Sequence, residues 1–244
     1  MRLINLPKIL AILLLLGMSG AAFSAESDIS LPAGFQQSSL NTLVTELGLI
    51  AVYNPQAPAE TLGVVGFEAG ASVTGYQIDQ AVWNSVVSDS DAPSTIVVPR
   101  LMLRKGLPWG VDVGYSYVSV PSSNIKVSGV EVRKSLLDGS TVSPAVSVLV
   151  HGSRLSGVDD LKLSTLGVDL AISKGFAMLT PYAGVGLLRI KGRDESGLGL
   201  AEVSTTENRS YVDVRVGFFP FMNLAAQADF AEVESYSLRL NIAF

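Results

Sequence analysis

The last nine residues limit the fold more than any other stretch of this chain. In Tyr236-Ser237-Leu238-Arg239-Leu240-Asn241-Ile242-Ala243-Phe244, the residues Tyr236, Leu238, Leu240, Ile242 and Phe244 fall on one side of an extended backbone, and Ser237, Arg239, Asn241 and Ala243 on the other. An unbroken period of two marks a strand with one apolar and one polar face. In water such a strand needs a covering layer, and no amphipathic helix follows to provide it. A membrane barrel satisfies both faces, because hydrocarbon takes the apolar side and the interior takes the polar one.

The same alternation recurs at about 62–78, 94–105, 109–120, 124–136, 141–151, 161–174, 178–191, 208–218, 222–232 and 236–244. Each segment is near the ~9–11 residues that a tilted spanning strand requires. In the first, Val65, Phe67, Ala69, Ala71 and Val73 alternate with Glu68, Ser72 and Thr74; in the sixth, Leu166, Val168, Leu170 and Ile172 alternate with Asp169 and Ser173. The fourth changes parity near Ser128-Gly129, which predicts a bulge. The seventh has apolar residues on both parities and is the poorest of the set. Pro99 lies inside a segment, where it removes a ladder donor without an evident sequence reason. Pro144 and Pro181 can stand at strand starts.

This pattern resembles the single-chain bacterial outer-membrane β-barrels, whose final strand commonly ends in Phe with apolar residues at every second position before it. The resemblance covers about residues 62–244. It implies an antiparallel up-and-down transmembrane barrel of about ten strands in the cell outer membrane, and recognition of Tyr236, Leu238, Leu240, Ile242 and Phe244 by the outer-membrane assembly machinery. Tight connections follow segments two, four, six and eight, while longer polar ones follow one, five and seven, at 79–93, 152–160 and 192–207. Those after three and nine are short and fit less well. Short periplasmic turns opposite longer outside loops are the expected asymmetry. Trp109, Phe176, Phe218, Phe219, Phe221 and Phe244 gather at the turn side, and Tyr117, Phe230 and Tyr236 at the other. Both chain ends are then expected on the periplasmic side.

Residues 1–25 read as a cleaved signal peptide: Arg2 and Lys8, an apolar run from Ile9 to Met18, and small residues from Ser19 to Ala25. The apolar run is short of the ~20 residues a spanning helix needs. Residues 26–61 form a periplasmic leader. Within it Leu40, Leu43, Val44, Leu47, Ile50 and Ala51 recur at helical spacing, predicting an amphipathic helix at about 38–53 capped by Ser38 or Ser39 and stopped by Asn54-Pro55 and Pro58. Gly48 weakens that helix. Its expected seat is near the periplasmic mouth, packed on the barrel or plugging it.

Composition agrees with the barrel and narrows the partners. The chain is 48% hydrophobic and 16% charged, with mean hydropathy +0.40, an apolarity spread over short segments. Cysteine is absent, which excludes disulfides and Cys-based metal sites. Without Arg2 and Lys8, 15 of the 17 basic residues remain against 22 acidic, a balance of about −7. An acidic chain with no basic run or phosphate-cradling loop argues against nucleic acid. Outer-membrane lipid and lipopolysaccharide are the expected partners. No residue pattern calls for a cofactor or metal.

By parity, Glu68, Arg100, Arg104, Asp112, Glu131, Arg133, Asp169, Asp213, Arg215, Asp229 and Arg239 face inward. Charges in a narrow lumen must pair, since an isolated one costs several kcal/mol. Expected mates are Glu68 with Arg100 or Arg239, Asp112 with Arg100 or Arg104, and Arg215 with Asp229. A selectivity lining for a small pore is the alternative. These mixed, dispersed charges lack the rim grouping of omptin-type barrel proteases. His151-Gly152-Ser153-Arg154 is similar to the His-x-Ser of outer-membrane lipid A deacylases, which would make Ser153 a nucleophile and His151 its base. The Asn that follows the serine in that family is missing, and His151 faces inward. The acidic pairs Asp89 with Asp91 and Asp159 with Asp160 match no calcium loop. A non-enzymatic structural or surface-interaction role is expected, with a narrow, helix-plugged pore as the alternative.

Overall fold

The computed structural model describes residues 29–87, 92–120 and 123–244. The signal peptide with its cleavage site, and Asp89 and Asp91, lie outside the described residues. The chain order is α1 (Gln37–Ala51), β1 (Phe67–Gln77), α2 (Gln80–Asn84), β2 (Thr95–Leu107), β3 (Val111–Ser119), β4 (Lys126–Leu137), β5 (Ala145–Ser156), β6 (Leu161–Ser173), β7 (Leu179–Asp194), β8 (Val203–Phe219), β9 (Met222–Phe230) and β10 (Ser235–Ala243). Each strand pairs antiparallel with the next, and β10 closes on β1, giving a ten-stranded up-and-down barrel without an edge. Closure removes every unpaired ladder group from the lipid side. The pairing Glu68 with Ala243 through Tyr76 with Ser235 uses the carboxy-terminal strand as the closing stave.

The exterior is apolar where the strands cross the middle of the barrel. Leu101, Leu103, Val130, Val132, Val150, Val168, Leu170, Ile172, Val212, Leu240 and Ile242 are all exposed. An apolar belt this extensive on a water-facing surface would aggregate, so it defines a lipid-facing wall. Six aromatics, Trp109, Phe176, Phe218, Phe219, Phe221 and Phe244, are exposed around the turn end. Positive φ at Trp109 and Gly110 gives the β2–β3 turn its tight backbone.

The interior has two halves, and this corrects several expectations. Toward the loop end the inward residues are apolar: Ile96, Val98, Val118, Val127, Leu155, Leu161, Leu163, Leu188, Ile190 and Val203 join one core cluster with Leu40, Leu43, Val44 and Leu47 of α1. Toward the turn end they are charged. The parity change in the fourth segment is therefore no bulge at Ser128-Gly129. Val127 and Gly129 point inward in register with Glu131 and Arg133, and the bulge lies between Ser135 and Leu137. The ambiguous seventh segment has the same cause, because Leu188 and Ile190 face α1. Strands β5, β7 and β8 also run past the expected loop boundaries, through 152–156, 192–194 and 203–207, keeping their alternation with the polarity reversed. Pro99 pairs with Val73 of β1 but sits where the β2–β3 ladder has not yet begun: Leu101 with Tyr117 is its outermost pair, so on that side a proline breaks no ladder bond.

The helix runs Gln37–Ala51 and is N-capped at Gln36 without a side-chain bond, so Ser38 and Ser39 lie in the first turn instead of capping. It occupies the loop end of the lumen, opposite Phe244, and not the turn-side mouth. Leu31 N–H donates to Asp160 Oδ2 at 2.9 Å and Ser30 N–H to Val86 O at 3.1 Å, fixing the strap before α1 to the loops. The start of the described chain and its carboxy terminus therefore stand at opposite ends of the barrel. The physical reason is the apolar upper lumen, which is where the helix stripe finds matching surface.

A leader-filled lumen as the candidate functional site

Residues 52–61 leave α1 in an extended conformation and descend through the barrel to the turn end, where β1 begins. With no helix or strand of their own, their backbone groups need partners from the wall. Arginines supply most of them. Arg100 donates to Ile50 O at 3.1 Å and Val52 O at 2.8 Å, satisfying carbonyls at the α1 terminus. Arg209 donates to Tyr53 O at 3.4 Å, Arg239 to Gln56 O at 2.7 Å, and Arg133 to Ala57 O at 3.1 Å and also to Pro58 O. Acceptors on the wall take the N–H groups: Ala59 donates to Ser173 Oγ at 3.0 Å, and Leu62 to the Asp112 carboxylate at 3.1 and 3.2 Å. Asn54 is held by Gln227 at 2.6 Å and donates to Asp229 at 3.3 Å.

All eleven charges assigned inward by parity point into the lumen, and ten are buried, with Arg215 half-buried. The pairing differs in detail from the expected mates. Glu68 accepts from Arg239 at 2.6 Å, Arg215 at 2.8 Å and Arg104 at 3.4 Å. Arg104 also lies 3.6 Å from Asp112, and Arg133 3.6 Å from Glu131. Among the described residues Arg100 has no carboxylate partner and serves the helix end instead. Arg215 pairs with Glu68 and not with Asp229, whose partner is Arg209 at 2.6 Å. Tyr182 donates its hydroxyl to Asp213.

Arg209 is the member that the sequence argument left out. It shares the parity of Asp213 and Arg215 but stands at the margin of its expected segment, and parity alone was signal enough to include it. With it the strands contribute to the lumen, among the described residues, six arginines (100, 104, 133, 209, 215 and 239) against six carboxylates (68, 112, 131, 169, 213 and 229). A balanced lumen avoids the uncompensated buried charge that would cost several kcal/mol.

Fit between plug and wall rests on side chains that are missing. A Cβ at Gly48 of α1 would overlap Ile190 of β7, and one at Gly192 would overlap Val44, one turn earlier on the helix. Gly48 thus weakens the helix intrinsically while letting it lie against the wall. Similarly, a Cβ at Gly114 would meet the Tyr53 hydroxyl. Outside the spanning strands, Glu46 of α1 accepts from Trp83 Nε1 at 2.5 Å and from Asp79 N–H at 3.0 Å, tying the helix to α2. Burial pushes the Glu46 carboxyl above its ordinary value despite both bonds.

His151 is fully buried. Its Nε2 lies 3.3 Å from Asp169 Oδ1, and its ring is 6.2 Å from that of Tyr53. Ser153 shares a 2.6 Å hydrogen bond with Thr165 and has no bond to His151. The two side chains stand one above the other on β5, behind the plug and away from lipid, so the His-x-Ser spacing brings no nucleophile to a base. Among the described residues no group of His, Asp and Glu is arranged to hold a metal ion. Asp160 is engaged with Leu31, and no shared ligand set forms with Asp159.

Fold and lumen together define the class: a membrane-spanning β-barrel whose own amino-terminal leader fills it. No protein-family model matches the chain, and no curated protein matches it. Solved structures similar to it include the amino-terminal β-barrel domain of OprF from Pseudomonas aeruginosa, at 12% identity and TM-score 0.37, covering 75% of this chain and 99% of that one. Neisserial surface protein A is similar at 11% identity and TM-score 0.31, over 73% and 94%. The KdgM porin is similar at 9% identity and TM-score 0.35, over 74% and 99%.

Proposed function

We propose that this protein is a sealed, non-enzymatic barrel of the outer membrane, with its turn end in the periplasm and its loop end outside. There α1, α2 and the strap before α1 form a surface cap suited to a structural or surface-interaction role. The single observation that carries this reading is the occupied lumen: α1 fills the apolar upper half, and residues 52–61 are bonded to the wall through the charged lower half. A narrow pore would need that segment to leave, and several arginine-to-carbonyl bonds hold it. The gated-pore reading draws support from one feature, the absence of any backbone ladder in residues 52–61, since side-chain bonds alone can be exchanged for water.

The mature full-length protein in planar bilayers decides between them. The sealed reading expects no step-like conductance at neutral pH over a physiological voltage range. Regular single-channel steps from the intact protein would overturn it in favour of a gated pore. A chain lacking residues 26–60 should conduct if it still closes into a barrel, because the twelve charged groups would then line water.

A further inference from the structure

Six basic side chains leave the outer wall at one level and on one side. Lys126 of β4, Arg154 of β5, Lys162 of β6, and Arg189, Lys191 and Arg193 of β7 are all exposed and outward. Pairing places Ser128, Arg154, Ser164, Lys191 and Ser204 in one row across five neighbouring strands, with Lys162 opposite Arg193 one row above and Arg189 opposite Leu166 one row below. The polarity of these strands inverts here. On β6, Leu161 and Leu163 face in and Lys162 and Ser164 face out, whereas from Leu166 onward the apolar residues face out. The inversion marks where hydrocarbon ends and the headgroup layer begins. Strands β1–β3 and β8–β10 carry no outward charge at that level.

We propose that this patch binds a phosphorylated lipid of the outer leaflet, with its phosphate on Arg154, Arg189 and Lys191 and an acyl chain in the groove beneath. Arginine matches phosphate oxygens with paired N–H donors, and lysine adds a point charge. Arg154 and Lys191 are two strands apart, ~10 Å at the backbone, close enough for long side chains to converge on one phosphate. Their own partners leave them free to do so: Lys162 and Arg193 share Glu195 at 2.9 and 3.6 Å, and Arg189 reaches Ser204 Oγ at 3.4 Å. Arg154 and Lys191 have no side-chain partner among the described residues. Two rows below begins an open groove of about 610 Å³, whose apolar lining is Val148, Val168, Leu170, Val185, Leu187 and Phe230, with Asn208, Ser210, Asp169 and Arg209 also bordering it. Head and tail of a phospholipid or phosphorylated glycolipid are thereby matched on adjoining surfaces.

The inference rests on the loop end facing outside, which cysteine labelling of intact cells decides separately. Its own test uses the mature protein folded in detergent micelles, titrated with diphosphorylated lipid A, with the same lipid stripped of phosphate, and with inorganic phosphate. The expected result is at least tenfold tighter binding of the phosphorylated lipid than of the stripped one, weakening with salt, and no saturable binding of inorganic phosphate. In R154A/R189A/K191A that preference should vanish, while Lys134→Gln, outward at the turn end, should keep it. Equal binding of both lipids by the unaltered protein would overturn the proposal even if the triple variant failed to fold. Undiminished preference in the folded triple variant would overturn it as well, and saturable inorganic phosphate binding would reassign the patch to a free anion.

Discussion

Among the described residues Glu68 has the densest set of ionic contacts, since Arg104, Arg215 and Arg239 converge on one carboxylate. Removing one partner from a buried group leaves the others uncompensated, and the cost is on the order of 3–5 kcal/mol. Glu68→Ala should therefore lower the free energy of unfolding, measured by urea titration in lipid vesicles, by that amount. The exposed Lys162–Glu195 pair provides the contrast: Glu195→Ala should cost under ~1 kcal/mol. A carboxyl raised above its ordinary value, as Glu46 is, binds its proton more tightly folded than unfolded. Stability then falls as pH rises from the ordinary carboxylate range through the raised value. Amide protection factors across residues 79–87, corrected for the intrinsic pH dependence of exchange, should accordingly be higher on the acid side of that window than at neutral pH, and Glu46→Gln should abolish the difference.

The leader is the element that gives this barrel its character. Its helix is held by shape, with Gly48 against Ile190 and Val44 against Gly192, and its extended part is held by arginine bonds. The two grips should fail separately. Gly48→Leu overpacks the contact with β7 and should cost about 1–3 kcal/mol, enough to loosen the helix without opening the strands. Limited proteolysis is the measurement: cleavage within 37–51 while the barrel still migrates as a folded species before heating. Cleavage no faster than in the unaltered protein would mean that α1 does not depend on this close approach. Ser38 and Ser39 show how an element's end depends on its surroundings. A strap anchored to Val86 and Asp160 fixes where the chain enters the helix, so no hydroxyl cap is used.

At the scale of the whole molecule, lipid is the outer layer of the core. The exposed apolar wall means that the mature chain in plain buffer should aggregate, and that detergent or bilayer should restore a heat-sensitive folded form; a monomeric, folded protein without detergent would contradict the barrel's exterior. The proposed orientation has a direct test. The chain has no cysteine, so single replacements report cleanly. Gly34→Cys, at the loop end, should react with an impermeant maleimide on intact cells, and Trp109→Cys, in a turn, should not. The reverse pattern would invert the proposed topology.

Period-two alternation, read from residues 62 to 244, was enough to establish the barrel, its ten strands, its closing stave and eleven of the twelve inward charges. Each strand meets hydrocarbon on one face, and that demand is local, so every segment carries its own record of it. What fills the inside is not a local matter. Alternation alone implies one polar interior, which puts the helix at the wrong end and reads a bulge at Ser128-Gly129 where Val127 joins an apolar chamber. Only closure of the sheet brings Ile96, Val127, Leu155, Leu188 and Val203 from five strands into one apolar chamber, and Arg100, Arg133, Arg209 and Arg239 around one extended segment. A side chain's face is decided by its neighbours along the chain; its partner across a lumen is decided by residues from tens to more than a hundred and fifty positions away.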